Sequence, residues 1–216
     1  MRLVSKKTVA AIVLGVFVLT GAAIPFIAQA EQGGKERSAF GHRQFDPEKA
    51  AARMAEDYGI SKEAILAHNQ NGVSFRDLNR AAFLAKASGK SLDDVLALKK
   101  SDNTWRDVAQ TLNISKDQMK ATFRSLAADR LNAKLGLDRQ ETMNLLEQGY
   151  RPRDVAIAGV LAQESGKSSQ DILAMKKINN AWRDVAQNLG MNDEAFKQSI
   201  QKLRPAFGPG GHKHWK

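Results

Sequence analysis

Four arginines recur at matching places in this chain, Arg76, Arg106, Arg153 and Arg183, each followed by an aspartate: Asp77, Asp107, Asp154 and Asp184. A guanidinium offers its N–H donors in a planar fork suited to carboxylate or phosphate oxygens. Four in a ladder would make a binding surface for a polyanion, such as a cell-wall polymer or phospholipid headgroups. The aspartates invite the opposite reading, a row of acidic ligands. Three of them, however, stand three residues after Ser74, Thr104 or Arg151, at or near the third position of an expected helix. There a carboxylate meets free backbone N–H groups and the positive end of the helix dipole, so capping accounts for it without a ligand. The same dipole disfavours an arginine in the first turn. Either an ion pair with the neighbouring aspartate or with an acid of the preceding helix offsets this, or the ladder serves a ligand.

Other chemistry-bearing residues are few. Glu164, in Leu161-Ala-Gln-Glu-Ser-Gly166, resembles the Glu-Ser dipeptide around the catalytic acid of lytic transglycosylases, which would imply a cell-wall-modifying enzyme. The likeness ends there: the later glycine-rich segment of that family is missing, and the equivalent residue of the first half is Ala87. His212 and His214 form a His-x-His pair that would hold Cu²⁺, Ni²⁺ or Zn²⁺ weakly, since a structural zinc site wants four fixed ligands. His68 aligns with Leu98, Leu145 and Met175 and is expected to border the core. No glycine-rich phosphate loop, His-Glu-x-x-His or Ser/His/Asp set occurs, so no cofactor and no enzymatic activity are expected.

Positioning these residues falls to a repeated helical unit. Ser91 to Leu112 largely reappears 77 positions on as Ser168 to Leu189. Within that repeat lies a smaller module, about 30 residues long and present four times, beginning at Gly59, Gly89, Gly136 and Gly166. Each glycine ends the preceding helix, and Ser61, Ser91, Asp138 or Ser168 then caps a first short helix. After a turn, at Asn71-Gly72 in the first module and Gln148-Gly149 in the third, a second helix opens at Phe75, Trp105, Pro152 or Trp182. Trp105, Val108, Ala109 and Leu112 fall at i, i+3, i+4 and i+7, as do Trp182, Val185, Ala186 and Leu189, and these faces are the expected core.

A helix starting at Asp46-Pro47 precedes the first module, and a longer one from Ser115 to Lys134 joins the halves. Ser115-x-x-Gln118 starts the joining helix as a capping box; Met119, Phe123, Leu126, Leu131 and Leu135 give it an apolar side. The last helix runs from Asn192 to Leu203, where Pro205 is expected to stop it. Helices this short are marginal alone in water, so their stability must come from neighbouring modules. The expected architecture is all-α: tandem short helix pairs forming a small α-solenoid or helical repeat bundle, with a first half over residues 46–122 and a second over 123–204. Trp105 to Phe123 and Trp182 to Ile200 also match a helix-turn-helix, a pattern any helical repeat produces, and export argues against nucleic acid as a partner.

The ends of the chain carry the export argument. Arg2, Lys6 and Lys7 precede an apolar run from Val9 to Leu19, and Ala28-Gln29-Ala30 is a small-x-small cleavage site, so residues 1–30 read as a signal peptide. Uncleaved, residues 8–28 are long enough to anchor the chain in a membrane. Residues 31–45 read as a flexible lead and 205–216 as a flexible tail. Without residues 1–30 the chain holds 30 basic and 23 acidic residues, a formal +7, which points to anionic envelope polymers, phospholipid headgroups or acidic proteins. With no cysteine, no disulfide framework is available and side-chain packing must supply the stability.

Gly-Lys-Ser-x-x-Asp-[Val/Ile]-Leu-Ala-x-Lys-Lys followed by Trp-Arg-Asp-Val-Ala-Gln-x-Leu resembles repeats of exported, largely uncharacterised bacterial helical-repeat proteins that carry a Trp-x-Asp-Val-Ala-x-x-Leu module. The resemblance covers Gly59 to Leu189 and implies a helical repeat fold without catalytic residues. This chain departs from it by Arg106 and Arg183 where glycine is usual, and by Phe75 and Pro152 in place of tryptophan. The expectation is an exported, non-enzymatic protein-interaction or structural module of the periplasm or cell exterior. Its partner would be an envelope protein or an anionic envelope polymer.

Overall fold

A computed structural model of the chain describes residues 45–207. Residues 1–30, read as a signal peptide, residues 31–44 of the expected lead, and residues 208–216 with His212 and His214 lie outside the described residues. Twelve helices and no strand occur among the described residues. In chain order they are α1 (Pro47–Tyr58), α2 (Lys62–Gln70), α3 (Phe75–Ser88), α4 (Leu92–Leu98), α5 (Trp105–Thr111) and α6 (Lys116–Leu135). Then follow α7 (Arg139–Glu147), α8 (Pro152–Ser165), α9 (Ser169–Met175), α10 (Trp182–Asn188), α11 (Asp193–Gln201) and α12 (Arg204–Phe207). The fold is an all-α array of short helix pairs, packed neighbour on neighbour.

Local chemistry sets these bounds. Asp46, Ser61, Ser74, Ser91, Thr104, Ser115, Asp138, Ser168 and Asn192 each cap a helix by accepting the N–H three residues on. At the other ends Gly59, Gly89, Gly136 and Gly166 take left-handed φ of 66° to 71°, where a side chain would be strained. From α2 to α5 every helix recurs 77 residues later with the same bounds, as α7 to α10. Lys116–Leu135 breaks that pattern in an instructive way. Its first part is the register equivalent of α11, and residues 124–135 are the equivalent of α1, so the two copies meet inside one continuous helix of 20 residues. Where Asp46 caps α1, the equivalent position is Phe123, mid-helix, where no cap is needed.

Each copy has its own core. The first gathers Met54, Ile65, Leu78, Leu84, Val95 and Val108; the second gathers Leu131, Leu145, Val155, Leu161, Ile172 and Val185. α6 packs on α1 and α3 on one side and on α7, α8 and α12 on the other. Two ion pairs fasten it to α1: a bidentate Arg130–Asp57 pair, with Nε and Nη2 donating at 3.0 and 2.6 Å, and Lys134 with Glu56.

Two expectations need correction at the edges. Pro205 does not end the helical structure: α11 stops at Gln201 and a new turn, α12, spans Arg204–Phe207. Proline is tolerated there because the N–H groups of a first helical turn have no intrahelical partner to lose. Ala206 is buried and Phe207 half-buried, so residues 205–207 belong to the fold and not to a tail. Likewise Phe45, assigned to the lead, sets its ring edge-on to Phe75 at 5.2 Å.

Candidate functional site

A groove of about 780 Å³ opens where the two copies meet. Its walls come from Tyr58 at the end of α1, from α3, α5 and α6, from the start of α8 and from Phe207 at the end of α12. Phe83, Leu84, Ala109, Met119, Phe123 and Leu126 make much of its apolar surface. Phe123 is 55% exposed, although its place on the apolar side of α6 predicts packing. Five lining residues among those described are arginines, Arg80, Arg106, Arg130, Arg151 and Arg153, and none is acidic. That balance fixes the sign of any charged ligand.

Polar groups of the aromatic walls are spoken for within the protein. The Tyr58 hydroxyl donates to Asn79 Oδ1 at 3.0 Å, and burial, helped by the Asp57 carboxylate, pushes the phenol above its ordinary value and keeps it a donor. The Trp105 indole N–H donates to Asp77 Oδ1 at 2.8 Å. What remains to meet a ligand is mostly hydrocarbon and guanidinium, with the Asn79 side-chain amide N–H groups beside them.

The indole bond enlarges the role expected of the repeated aspartates. Asp77 stands at the third position of α3, accepts the Ser74 hydroxyl at 2.7 Å and reaches 28 residues along the chain to Trp105. Both bonds, the Ser74 hydroxyl first and then the indole, hold its carboxyl below the usual carboxylate range. Asp154 and Trp182 repeat the link in the second copy at 3.3 Å. Asp107 and Asp184 stay local, each accepting the N–H of its own N-cap residue at 2.7 Å. The Thr104 N–H, followed by its hydroxyl, lowers the Asp107 carboxyl. All four thus sit where capping places them, and two also latch one module to the next. Tryptophan at only the second and fourth modules, 28 residues after an aspartate each time, was the sequence signal for that latch.

The groove takes in two of the four repeated arginines. Arg106 and Arg153 line the groove, whereas Arg76 and Arg183 do not. Arg183 pairs through Nε with Asp193 at 2.9 Å, an acid of the following helix and not the preceding one. Arg76 and Arg106 make no ion pair among the described residues. Arg80, Arg130 and Arg151, which fall outside the repeated Arg-Asp pattern, join Arg106 and Arg153 instead. Arg130 is tied to Asp57, and Arg80 reaches Asp77 only at 3.4 Å. Arg106 and Arg151 make no ion pair among the described residues, so their guanidinium groups are available to a ligand.

Glu164 lies in the last turn of α8, bound to Lys202, and lines neither the groove nor a smaller cavity of about 190 Å³ beside Gly159 and Thr142. His68 is half-buried and bonds through Nε2 to Asp93 Oδ1 at 2.6 Å, bridging α2 to α4 at the core margin. Sequence reasoning missed Lys99, whose ammonium donates to the Asn103 carbonyl at 2.7 Å while Asn103 holds the Lys100 N–H and the Leu98 carbonyl. Lys176 and Asn180 build the same loop in the second copy. No group of three or more metal-ligating side chains occurs among the described residues, and no described helix is long and apolar enough to cross a membrane. Comparison with known protein families, with curated proteins and with solved structures finds no match.

Proposed function

We propose that the chain is an exported, non-enzymatic binding module of the cell envelope, and that the groove between its two copies is the binding surface. The observation that carries this reading is the groove itself: about 780 Å³ of mostly apolar wall with five arginines and no acid among its described lining residues. A cleft of that size with a few convergent charged groups is the usual form of a ligand site. The charged segment, apolar run and cleavage site within residues 1–30 support export. A polyanion laid along Arg76, Arg106, Arg153 and Arg183 is less well supported, because Arg183 is committed to Asp193 and only two of the four line the groove.

Site-specific photocrosslinking in living cells tests the reading. A photoreactive residue at position 123, in the groove, is expected to give a discrete adduct with an envelope component. The same residue at position 178, fully exposed and away from the groove, is expected to give none. Equal labelling from both positions, or none from position 123, would overturn it.

A further inference from the structure

The two copies of the repeat treat this region differently. Residues of α3 that face the groove, Asn79, Arg80 and Phe83, have Ala156, Ile157 and Val160 as their equivalents in α8, all three buried. Trp105 and Phe123 line the groove and keep solvent exposure; their equivalents Trp182 and Ile200 are each 9% exposed, inside the second core. One scaffold position is thus solid core in the second copy and an open, arginine-bearing groove in the first. A repeat that needed only to fold could have used the second solution twice.

The groove chemistry selects its occupant. The groove is walled by helices, with no strand among the described residues, so it offers no sheet edge to which an extended peptide could pair. A partner helix, about 10–12 Å across with its side chains, could lay only one face against an opening of this volume. A flexible hydrocarbon chain needs no hydrogen-bond partner and matches a wall of leucine, methionine and aromatic side chains. Arg106 and Arg151 then stand ready for an anionic group at its end. Residues 208–216 have the wrong sign for that position, since they bring Lys213 and Lys216 and no acidic side chain.

We infer that the groove binds a single-chain amphiphile with an anionic head: the hydrocarbon lies along Phe83, Met119 and Phe123, and the head meets Arg106 and Arg151. This rests on the proposed binding role of the groove and names the ligand class.

The test uses the chain as isolated from cells and four probes below their micellar concentrations: dodecyl phosphate, dodecyl maltoside, dodecyltrimethylammonium and inorganic phosphate. Titration calorimetry is expected to show one dodecyl phosphate per chain, bound at least about tenfold tighter than the neutral or cationic probe. Inorganic phosphate should not compete. Arg106→Gln with Arg151→Gln should weaken dodecyl phosphate by about tenfold or more and leave dodecyl maltoside unchanged. Phe123→Glu, at an exposed position that leaves both cores intact, should abolish dodecyl phosphate binding and improve dodecyltrimethylammonium. Equal affinity for the three head groups, competition by inorganic phosphate alone, or an indifferent Phe123→Glu variant would overturn the inference. A protein adduct from position 123, together with no dodecyl phosphate binding, would sink the amphiphile and leave the binding role standing. Failure of both would remove the groove as a site.

Discussion

At the scale of single residues, Asp77 carries two tasks on two oxygens. Oδ2 takes the Ser74 hydroxyl and closes the start of α3; Oδ1 takes the Trp105 indole and fixes the next module. Its capping role was legible because it depends on a spacing of three. The indole partner was not, since it depends on how α5 returns against α3. A double-mutant cycle of Trp105→Phe and Asp77→Ala is expected to give a coupling of about 1 kcal/mol in denaturant unfolding, a charged hydrogen bond discounted for its partly exposed partner. The carboxyl is lowered in the folded chain from an ordinary value of 3.8, so the ionised form is the one folding favours. Its contribution is complete above that value and is lost as pH falls through the lower folded value. The stability advantage of the native chain over Asp77→Asn should therefore be full at neutral pH and vanish on acidification below the ordinary value, as read by unfolding midpoints across pH. An advantage that persists unchanged in acid would contradict this account.

Among the elements, the helix pairs were nearly all legible, because their caps are written in short local patterns that recur. α12 was not, since the same proline that ends one helix can open another, and only the fold-back onto α6 decides which. A less visible accommodation lies inside α8. A methyl on Gly159 would come within 2.6 Å of the Leu137 Cδ1 atom, whereas the equivalent pair in the first copy is Ala82 with Ile60. Glycine in a helix interior ordinarily costs about 1 kcal/mol against alanine, so the substitution should stabilise if the space were free. It is not free. Gly159→Ala is expected to destabilise by about 1 kcal/mol, because the buried Leu137 fork must leave its place. Gly159→Ala with Leu137→Ile, which restores the pairing of the first copy, should recover the loss. Thermal unfolding of the three chains decides it.

For the whole molecule, the seam matters most. The duplication was legible from Ser91 and Ser168 onward, and so was a long helix joining the halves. The groove was not, because its walls run from Tyr58 to Phe207 and come together only when the copies dock. A partial trace existed in the comparison of copies, where Asn79 and Arg80 stand at the positions that Ala156 and Ile157 occupy in the second. Continuity of α6 couples the cores, and Thr122→Pro, at the boundary between its two parts, removes a backbone bond and costs about 3 kcal/mol or more. The expected result is that one calorimetric unfolding transition becomes two, one for each core; a single, merely lower transition would show that the halves are coupled by their side-chain contacts alone. The difference between the copies also has an arithmetic consequence. The groove takes walls from both copies, but its α3 and α5 positions are filled by core in the second copy, so duplicating the modules does not duplicate the groove. On the proposed binding role, a second ligand would require the core of the second copy to open at Ile157 and Val160.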